Sequence, residues 1–390
     1  MVKRKPQANR DKPNIGVVTW PILEAGVVPL QGLLHILLSL SNELYVITGG
    51  AARHRFFTTS QRLHLYFVDR KPTANTFMRV IRNIAMQVNV SQHMHKIAEH
   101  VDFWIFFFGA PVLLLPMITA RCLRKHVILN LMGSDIEDAK IQMGGLISKI
   151  VGLLAKIDFR LSSRIIVCSE DLTGKWRLER YRHKISIANH HFLDFNKLGA
   201  GKPLSERNNV IGYVGRLSKE KGILNFMEAI PKLLERRNDI RFLIAGDGQL
   251  RTKVDRCLTA RNLGSKVNFV GWIAHDELPK CLNELRLLVV PSYTEELPTT
   301  MLESMACGVL VLATPVGAIP TVIKDGQTGF IMEDNSPECI VENVLRALEY
   351  PGPEDIAKNA RALVEKEFNY EMATRQYQNI IGSKRKQNNI

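Results

Sequence analysis

The 390-residue chain is poor in cysteine. It has six, at positions 122, 168, 257, 281, 307 and 339, with no CxxC pair and no Cys/His cluster. That spacing excludes a disulfide framework and a finger-type zinc site, and it fits a reducing compartment. Long uninterrupted apolar runs are missing too. The most apolar stretch, Phe103 to Ala120 (FWIFFFGAPVLLLPMITA), is broken by Gly109, Pro111 and Pro116. It reads as a buried strand (Phe103–Phe108), a turn and a short helix, not as a membrane span. The basic start, MVKRKPQANRDKP, leads into a short strand-like run and not into a signal's apolar core, so no signal peptide is expected. Aromatics make up only 7% and few are interleaved with basic residues. With no RNA- or DNA-binding motif present, nucleic acid is not an expected partner.

What is present is an ordinary globular composition, 46% apolar and 23% charged. The length predicts two domains of roughly 150–200 residues each. Charge is unevenly divided between them. The first 200 residues hold 27 Lys/Arg against 14 Asp/Glu, and the remainder holds 25 against 24. A basic first half points to an anionic partner such as a phospholipid surface or a phosphorylated acceptor.

Short apolar runs alternate with helical patterns. Strands are expected at 15–19, 44–48, 104–108, 127–131 and 164–168, with a Gly/Pro loop over Pro21–Pro29 and a helix over Leu30–Leu40. The polar segment 198–209 (LGAGKPLSERNN) reads as a linker. Beyond it the alternation restarts. Strands are expected at 210–214, 241–245, 267–270, 287–290 and 309–313. Helices are expected at 223–236, 249–261, 276–283 and 299–307. Continuous apolar strands imply parallel sheets covered by helices on both faces. The expected organisation is therefore a basic tail (1–12), a first α/β domain (13–197), the linker, a second α/β domain (210–365), a helix (366–383) crossing back to the first domain, and a basic tail (384–390). A ligand is expected at the carboxyl ends of the strands, between the domains.

Gly144–Leu161 places Ile147, Ile150, Val151, Leu154, Ile157 and Leu161 on one helical face, with Lys149, Lys156 and Arg160 elsewhere. Two readings stand: a helix packed on the core, or a basic amphipathic helix resting on anionic lipid.

Two stretches carry chemistry. In GYVGRLSKEKG (212–222), Arg216 and Lys221 follow the first strand of the second domain. An Arg fork and a Lys point charge at a strand–helix junction suit a diphosphate. The plainer alternative is a surface ion-pair loop with Lys219 and Glu220. In EELPTTMLESMACG (295–308), Pro298 suits a helix start, leaving the Thr299 and Thr300 amides as an anion site. Glu303, about one turn in, suits a sugar diol, and Glu295 precedes the helix. Helix capping accounts for part of this, but not for Glu295 and Glu296, nor for GDG (246–248) and FVGW (269–272) at neighbouring strand ends.

With these motifs in order (GRLSKEKG, AGDG, FVGW, PSYTEELPTTMLESMACGVLVLATPVGAIP and DGQTGF, over residues 210–335), the second domain resembles the retaining family-4 nucleotide-sugar glycosyltransferases. The resemblance implies a GT-B fold: two doubly wound Rossmann-like domains facing across a cleft. It implies a hexosyltransferase that moves a sugar, configuration retained, from a nucleotide diphosphate donor, uridine-linked, to an acceptor hydroxyl. No metal or cofactor is implied. Glu295 and Glu303 match the family's Glu, seven residues, Glu signature. Arg216 and Lys221 would hold the diphosphate, Glu303 the ribose, and Glu295 with Leu297 the transferred sugar, Glu295 taking a catalytic part as well. The Thr299 and Thr300 amides would meet the distal phosphate, Gly246 would line the donor site, and Trp272 and Ile273 would frame the base.

The first domain resembles the family more loosely. Gly26, in Glu24-Ala25-Gly26-Val27, falls at a glycine-rich loop approaching the phosphates. Asp135, in NLMGSDIEDAK (130–140), is retained from an acceptor-side motif, with Met132 at the place of its histidine, and it is the first-domain carboxylate assigned a catalytic part. Glu296 replaces a common glycine, and Leu297-Pro298 an aromatic–glycine pair. His190 and His191 stand where a glycine is common and read as structural. The expected acceptor is a lipid-linked or membrane glycan, and the expected location is cytoplasmic with peripheral contact on the inner face of an anionic membrane. Two alternatives remain: a nucleotide-sugar-binding subunit without turnover, and another GT-B enzyme such as a sugar phosphorylase or an epimerase.

Overall fold

The computed structural model describes residues 12–55, 60–69, 76–108, 113–133 and 145–382. The chain forms two compact units. The first runs to His191 and resumes at Tyr370, and the second is Phe192–Asn369.

The first unit is built on a seven-stranded sheet of β1 (Ile15–Val18), β2 (Leu44–Thr48), β3 (Leu63–Phe67), β4 (Phe103–Phe107), β5 (His126–Asn130), β6 (Arg164–Val167) and β7 (Ile185–Ile187). Its order is β3-β2-β1-β4-β5-β6-β7, with every pairing parallel. Every residue of β1 and β4 is buried, which is why both read as unbroken apolar runs. Trp104, Phe106 and Phe107 are fully buried, each stabilising by about 1.5–3 kcal/mol relative to exposure. The second unit has β8 (Val210–Val214), β9 (Arg241–Ala245), β10 (Val267–Gly271), β11 (Leu287–Val290), β12 (Leu310–Ala313) and β13 (Phe330–Ile331), ordered β10-β9-β8-β11-β12-β13 and again parallel. Strand order reverses between β1 and β4 and between β8 and β11, the topological switch points of doubly wound sheets. Among the described residues no helix is long and apolar enough to cross a membrane.

The structure departs from the expected elements in instructive places. The helix expected from Leu30 begins at Glu24 and runs to Leu40, with Pro29 inside it. Burial of Val27, Leu30, Leu33, Leu34 and Leu37 draws the segment into helix despite the proline. Gly26 therefore lies in a helical first turn and not in a loop, and its N–H donates to Leu23 O at 2.9 Å. The polar segment 198–209 packs within the second unit. Arg207 is buried and donates to Leu285 O and Cys307 O, both at 2.9 Å, while Gly201 N–H donates to Asn283 Oδ1 at 2.6 Å. The chain passes between units earlier, at His191/Phe192, and returns at Asn369/Tyr370.

Candidate nucleotide-sugar site of the second unit

The site is assembled at the carboxyl end of the second sheet. The segments after β10, β9, β8 and β11, adjacent in that order, carry Trp272, Gly246, Arg216 and Glu295 respectively. Loops at the carboxyl ends of parallel strands around a switch point form a natural ligand crevice, because chain direction diverges there.

After β8 the chain turns through Gly215 and Arg216 into a 3-10 turn, Lys219–Lys221, closed by Gly222 in the left-handed region at φ +70°. A Cβ at Gly222 would stand 1.8 Å from Pro291 O, so no other residue fits without moving backbone. This tight turn brings two ion pairs into the site. Arg216 Nη2 is 3.1 Å from Glu220 Oε1, whose side chain is only 2% exposed, and Ser218 Oγ donates to the same oxygen at 2.6 Å. Lys221 Nζ is 2.6 Å from Glu295 Oε2, and Ser292 Oγ donates to Glu295 Oε1 at 2.7 Å. The Arg216–Glu220 pair matches the ion-pair alternative of the sequence in partner but not in place, since Glu220 is buried and Lys221 looks elsewhere. Buried carboxylates of this kind need their partners, because removing one leaves an uncompensated charge. Tyr213, buried on β8, donates to Arg216 O at 2.8 Å. Burial, helped by the nearby Glu295 and Glu220 carboxylates, holds its phenol well above the usual range, so it serves as a neutral donor.

Pro298 precedes the helix Thr299–Ala306, whose first ladder bonds run from Met301 and Leu302 N–H to Pro298 O. Thr299 and Thr300 are half-buried and stand ahead of that ladder. Glu303 is buried, and its Oε1 is 2.7 Å from Nε2 of His275, which lies in the 3-10 turn His275–Glu277 just after Trp272 and Ile273. The hydrogen bond to Glu303 raises the His275 pKa against the opposing effect of burial. Trp272 is half exposed, Ile273 is half-buried and Leu297 is buried. Gly317, at φ +57°, lets the chain pass the Glu295–Glu296 backbone; a Cβ there would meet Glu295 O at 2.1 Å. Ala318 N–H donates to Glu296 O at 2.7 Å, fixing the loop that bears both glutamates. Gly246 donates to Gly271 O at 2.7 Å, so its contribution is close backbone approach and not a free amide.

Arg216, Lys221, Gly246, Trp272, Ile273, Glu295, Leu297, Thr299, Thr300 and Glu303 thus all belong to one unit. Gly26 belongs to the other, and Asp135 lies outside the described residues. His190 and His191, in the first unit, are buried with ring centroids 4.0 Å apart. Burial, with the neighbouring His191 adding to it, pushes the His190 pKa well below the usual value, and burial lowers that of His191 to about 4. Sequence reading did not find His275, Ser292 or Tyr213 as site members. His275 acts through Glu303, 28 positions away, whereas Ser292 and Tyr213 each stand three residues before the site residue they support, Glu295 and Arg216, a spacing that by itself marks no contact outside a helix.

Residues 194–363 match the family described as glycosyl transferases group 1. The alpha-D-kanosaminyltransferase of Streptomyces kanamyceticus is 31% identical over 191 residues, 47% of this chain and 50% of that protein. The lipopolysaccharide 1,2-N-acetylglucosaminetransferase of Salmonella typhimurium is 28% identical over 184 residues, 45% of this chain and 48% of that protein. The chain thus matches about half the length of these curated relatives. Among solved structures, HepE of Anabaena in complex with UDP and glucose superposes with a TM-score of 0.74 at 16% identity, covering 94% of this chain and 99% of that one. Sucrose-phosphate synthase of Thermosynechococcus elongatus gives 0.76 at 16%, covering 95% and 99%. The match to glycosyl transferases group 1 spans nearly the whole second unit, and the fold is GT-B.

Proposed function

We propose that this protein is a glycosyltransferase that moves a sugar from a nucleotide diphosphate donor, uridine-linked, to an acceptor hydroxyl with retention of anomeric configuration. The observation that carries the reading is the pair Lys221–Glu295 beside Arg216, at the carboxyl ends of β8 and β11. Two cations held against carboxylates at a strand–helix junction are poised to exchange those partners for a diphosphate. HepE, of the same fold, is described with UDP and glucose, which supports the uridine donor.

In this reading the Glu303 carboxylate accepts both ribose hydroxyls, and Trp272 and Ile273 frame the base. Arg216 and Lys221 hold the diphosphate, with the Thr299 and Thr300 amides on its distal phosphate. Glu295, released from Lys221, accepts from hydroxyls of the transferred sugar beside Leu297. The sugar's C1–O bond to phosphate breaks as the acceptor oxygen bonds to C1 on the same face. The acceptor proton passes to the departing phosphate oxygen, whose charge the two cations stabilise as it develops. No dedicated carboxylate base and no metal are called for. Asp135 is assigned to the acceptor side. The acceptor is a lipid-linked or membrane glycan, in keeping with the basic first half and with a lipopolysaccharide transferase among the relatives.

Incubation with UDP-glucose and other UDP-sugars, followed by proton NMR of the anomeric signal, tests the reading. Release of UDP with a sugar product of retained configuration is expected, and an inverted product contradicts it. Met132, at the place of the family's acceptor-side histidine, favours one second reading: a subunit that binds donor without turnover. Nucleotide binding with no sugar release over long incubation would select that alternative.

A further inference from the structure

Three helices of the first unit pack side by side: Thr76–Ile97 on Leu114–Cys122, and Leu114–Cys122 on Gly145–Leu161. Their outer surface is unusual in two respects. Of the fourteen exposed large apolar side chains among the described residues, nine lie on these helices. Val80, Ile81, Ile84 and Val88 form a stripe on the first, at 53%, 43%, 54% and 40% exposure, and Phe77 and Met78 extend it. Ile118 is exposed on the second, and Ile150 and Leu153 on the third, at 53% and 62%. A concentration of this kind marks an interaction surface rather than the scattered apolar exposure normal for a soluble protein.

The charge of the same surface is one-sided. Thr76–Ile97 and Leu114–Cys122 contain no Asp or Glu, and the one acid of Gly145–Leu161, Asp158, is fully buried. On that third helix the exposed positions run Lys149, Ile150, Leu153, Lys156 and Arg160, a helical stripe in which two apolar residues are flanked by three cations. The helix is turned so that Ser148, Ala155 and Asp158 face inward and the Ile150–Leu153 side faces out. Of the two readings the sequence left open, core packing accounts for the inner side, where Ala155 is buried and Val151, Leu154, Ile157, Phe159 and Leu161 are half-buried, but not for Ile150 and Leu153, which stand in solvent beside three cations.

We propose that this three-helix layer docks on the surface of a lipid bilayer carrying anionic headgroups, with Ile84, Val88, Ile150 and Leu153 entering the interface and Lys149, Lys156 and Arg160 against the headgroups. Apolar side chains ringed by cations, with acids excluded, are what such an interface selects. A second copy of the chain fits less well, because a two-fold contact would set these cations against themselves. The inference goes beyond the sugar-transfer reading and does not depend on it, since vesicle binding requires no nucleotide.

The test is co-sedimentation of the full chain with phosphatidylcholine vesicles with and without phosphatidylglycerol, at low and high salt. Binding to the phosphatidylglycerol vesicles alone, weakened by salt, is expected. The triple variant Lys149→Gln/Lys156→Gln/Arg160→Gln should partition less by roughly fivefold per cation removed. Ile84→Glu/Leu153→Glu should abolish binding. All five positions are exposed, so melting temperature and UDP affinity should stay as in the parent, separating this result from failure of the donor site. A protein that stays in the supernatant with anionic vesicles at low salt overturns the proposal. So does a triple variant that binds like the parent. A protein that ignores vesicles but elutes as a dimer, and becomes monomeric with Ile84→Glu/Leu153→Glu, assigns the face to a second copy instead.

Discussion

His275 Nε2 lies 2.7 Å from Glu303 Oε1, joining the turn after β10 to the helix after β11. His275 is half exposed and Glu303 is buried, so the pair presents one oxygen of a buried carboxylate to the histidine. Hydrogen bonding to Glu303 and its charge, with Asp276 adding to them, raise the histidine pKa, and burial and Lys197 oppose.

A pH dependence follows. Because the folded pKa is raised above the unfolded value of 6.5, the pair's stabilisation is fully present below about pH 6.5 and is lost as pH rises through the folded pKa. At 51% side-chain exposure, solvent screening keeps the effect below about 1 kcal/mol. Denaturation of the parent and of His275→Gln across neutral pH should show the parent losing stability relative to the variant as pH rises. Parallel curves would contradict the pairing.

The buried pair His190 and His191 predicts the opposite sign. Their folded pKa values lie below 6.5, so burying them neutral costs nothing above about pH 6.5 and costs progressively more as pH falls. For His191, with a folded value of about 4, the loss is on the order of 3 kcal/mol by the time pH reaches that value. Hydrogen exchange of the β4 amides, which reports on this unit, should accelerate between pH 6.5 and 4 beyond its intrinsic pH dependence. It should accelerate less in His191→Gln.

Lys221 and Glu295 form a partly buried ion pair with side chains 24% and 8% exposed. Lys221→Met should destabilise by about 2 kcal/mol by stranding the glutamate, and Lys221→Met/Glu295→Gln should recover most of that loss. A double-mutant cycle by urea denaturation measures the coupling; additive effects would mean the two side chains are independent.

Much of the second unit was legible in the sequence because its strands are continuous apolar runs bounded by glycine and proline. β8, β9 and β11 lie where the pattern puts them. β3 and β7 escaped notice because neither is a buried strand: β3 is half-buried throughout and carries His64, and β7 has three residues. The helix Thr76–Ile97 was missed because its exposed apolar residues blur the one-sided pattern that marks a core-facing helix. In the site, the residue types and spacing of Arg216, Lys221, Glu295 and Glu303 were readable. Their partners were not, because Glu303–His275 and Lys221–Glu295 are made across strands of the folded sheet, a relation no local period encodes.

The central claim is donor binding at Glu303, and calorimetric titration of UDP, GDP and ADP into the parent and Glu303→Gln tests it most directly. The account predicts that UDP binds, and that the substitution weakens it by roughly tenfold to a hundredfold, the worth of hydrogen bonds to a charged group. Binding of UDP unchanged in Glu303→Gln, or no binding of any of the three nucleotides to the parent, would contradict it.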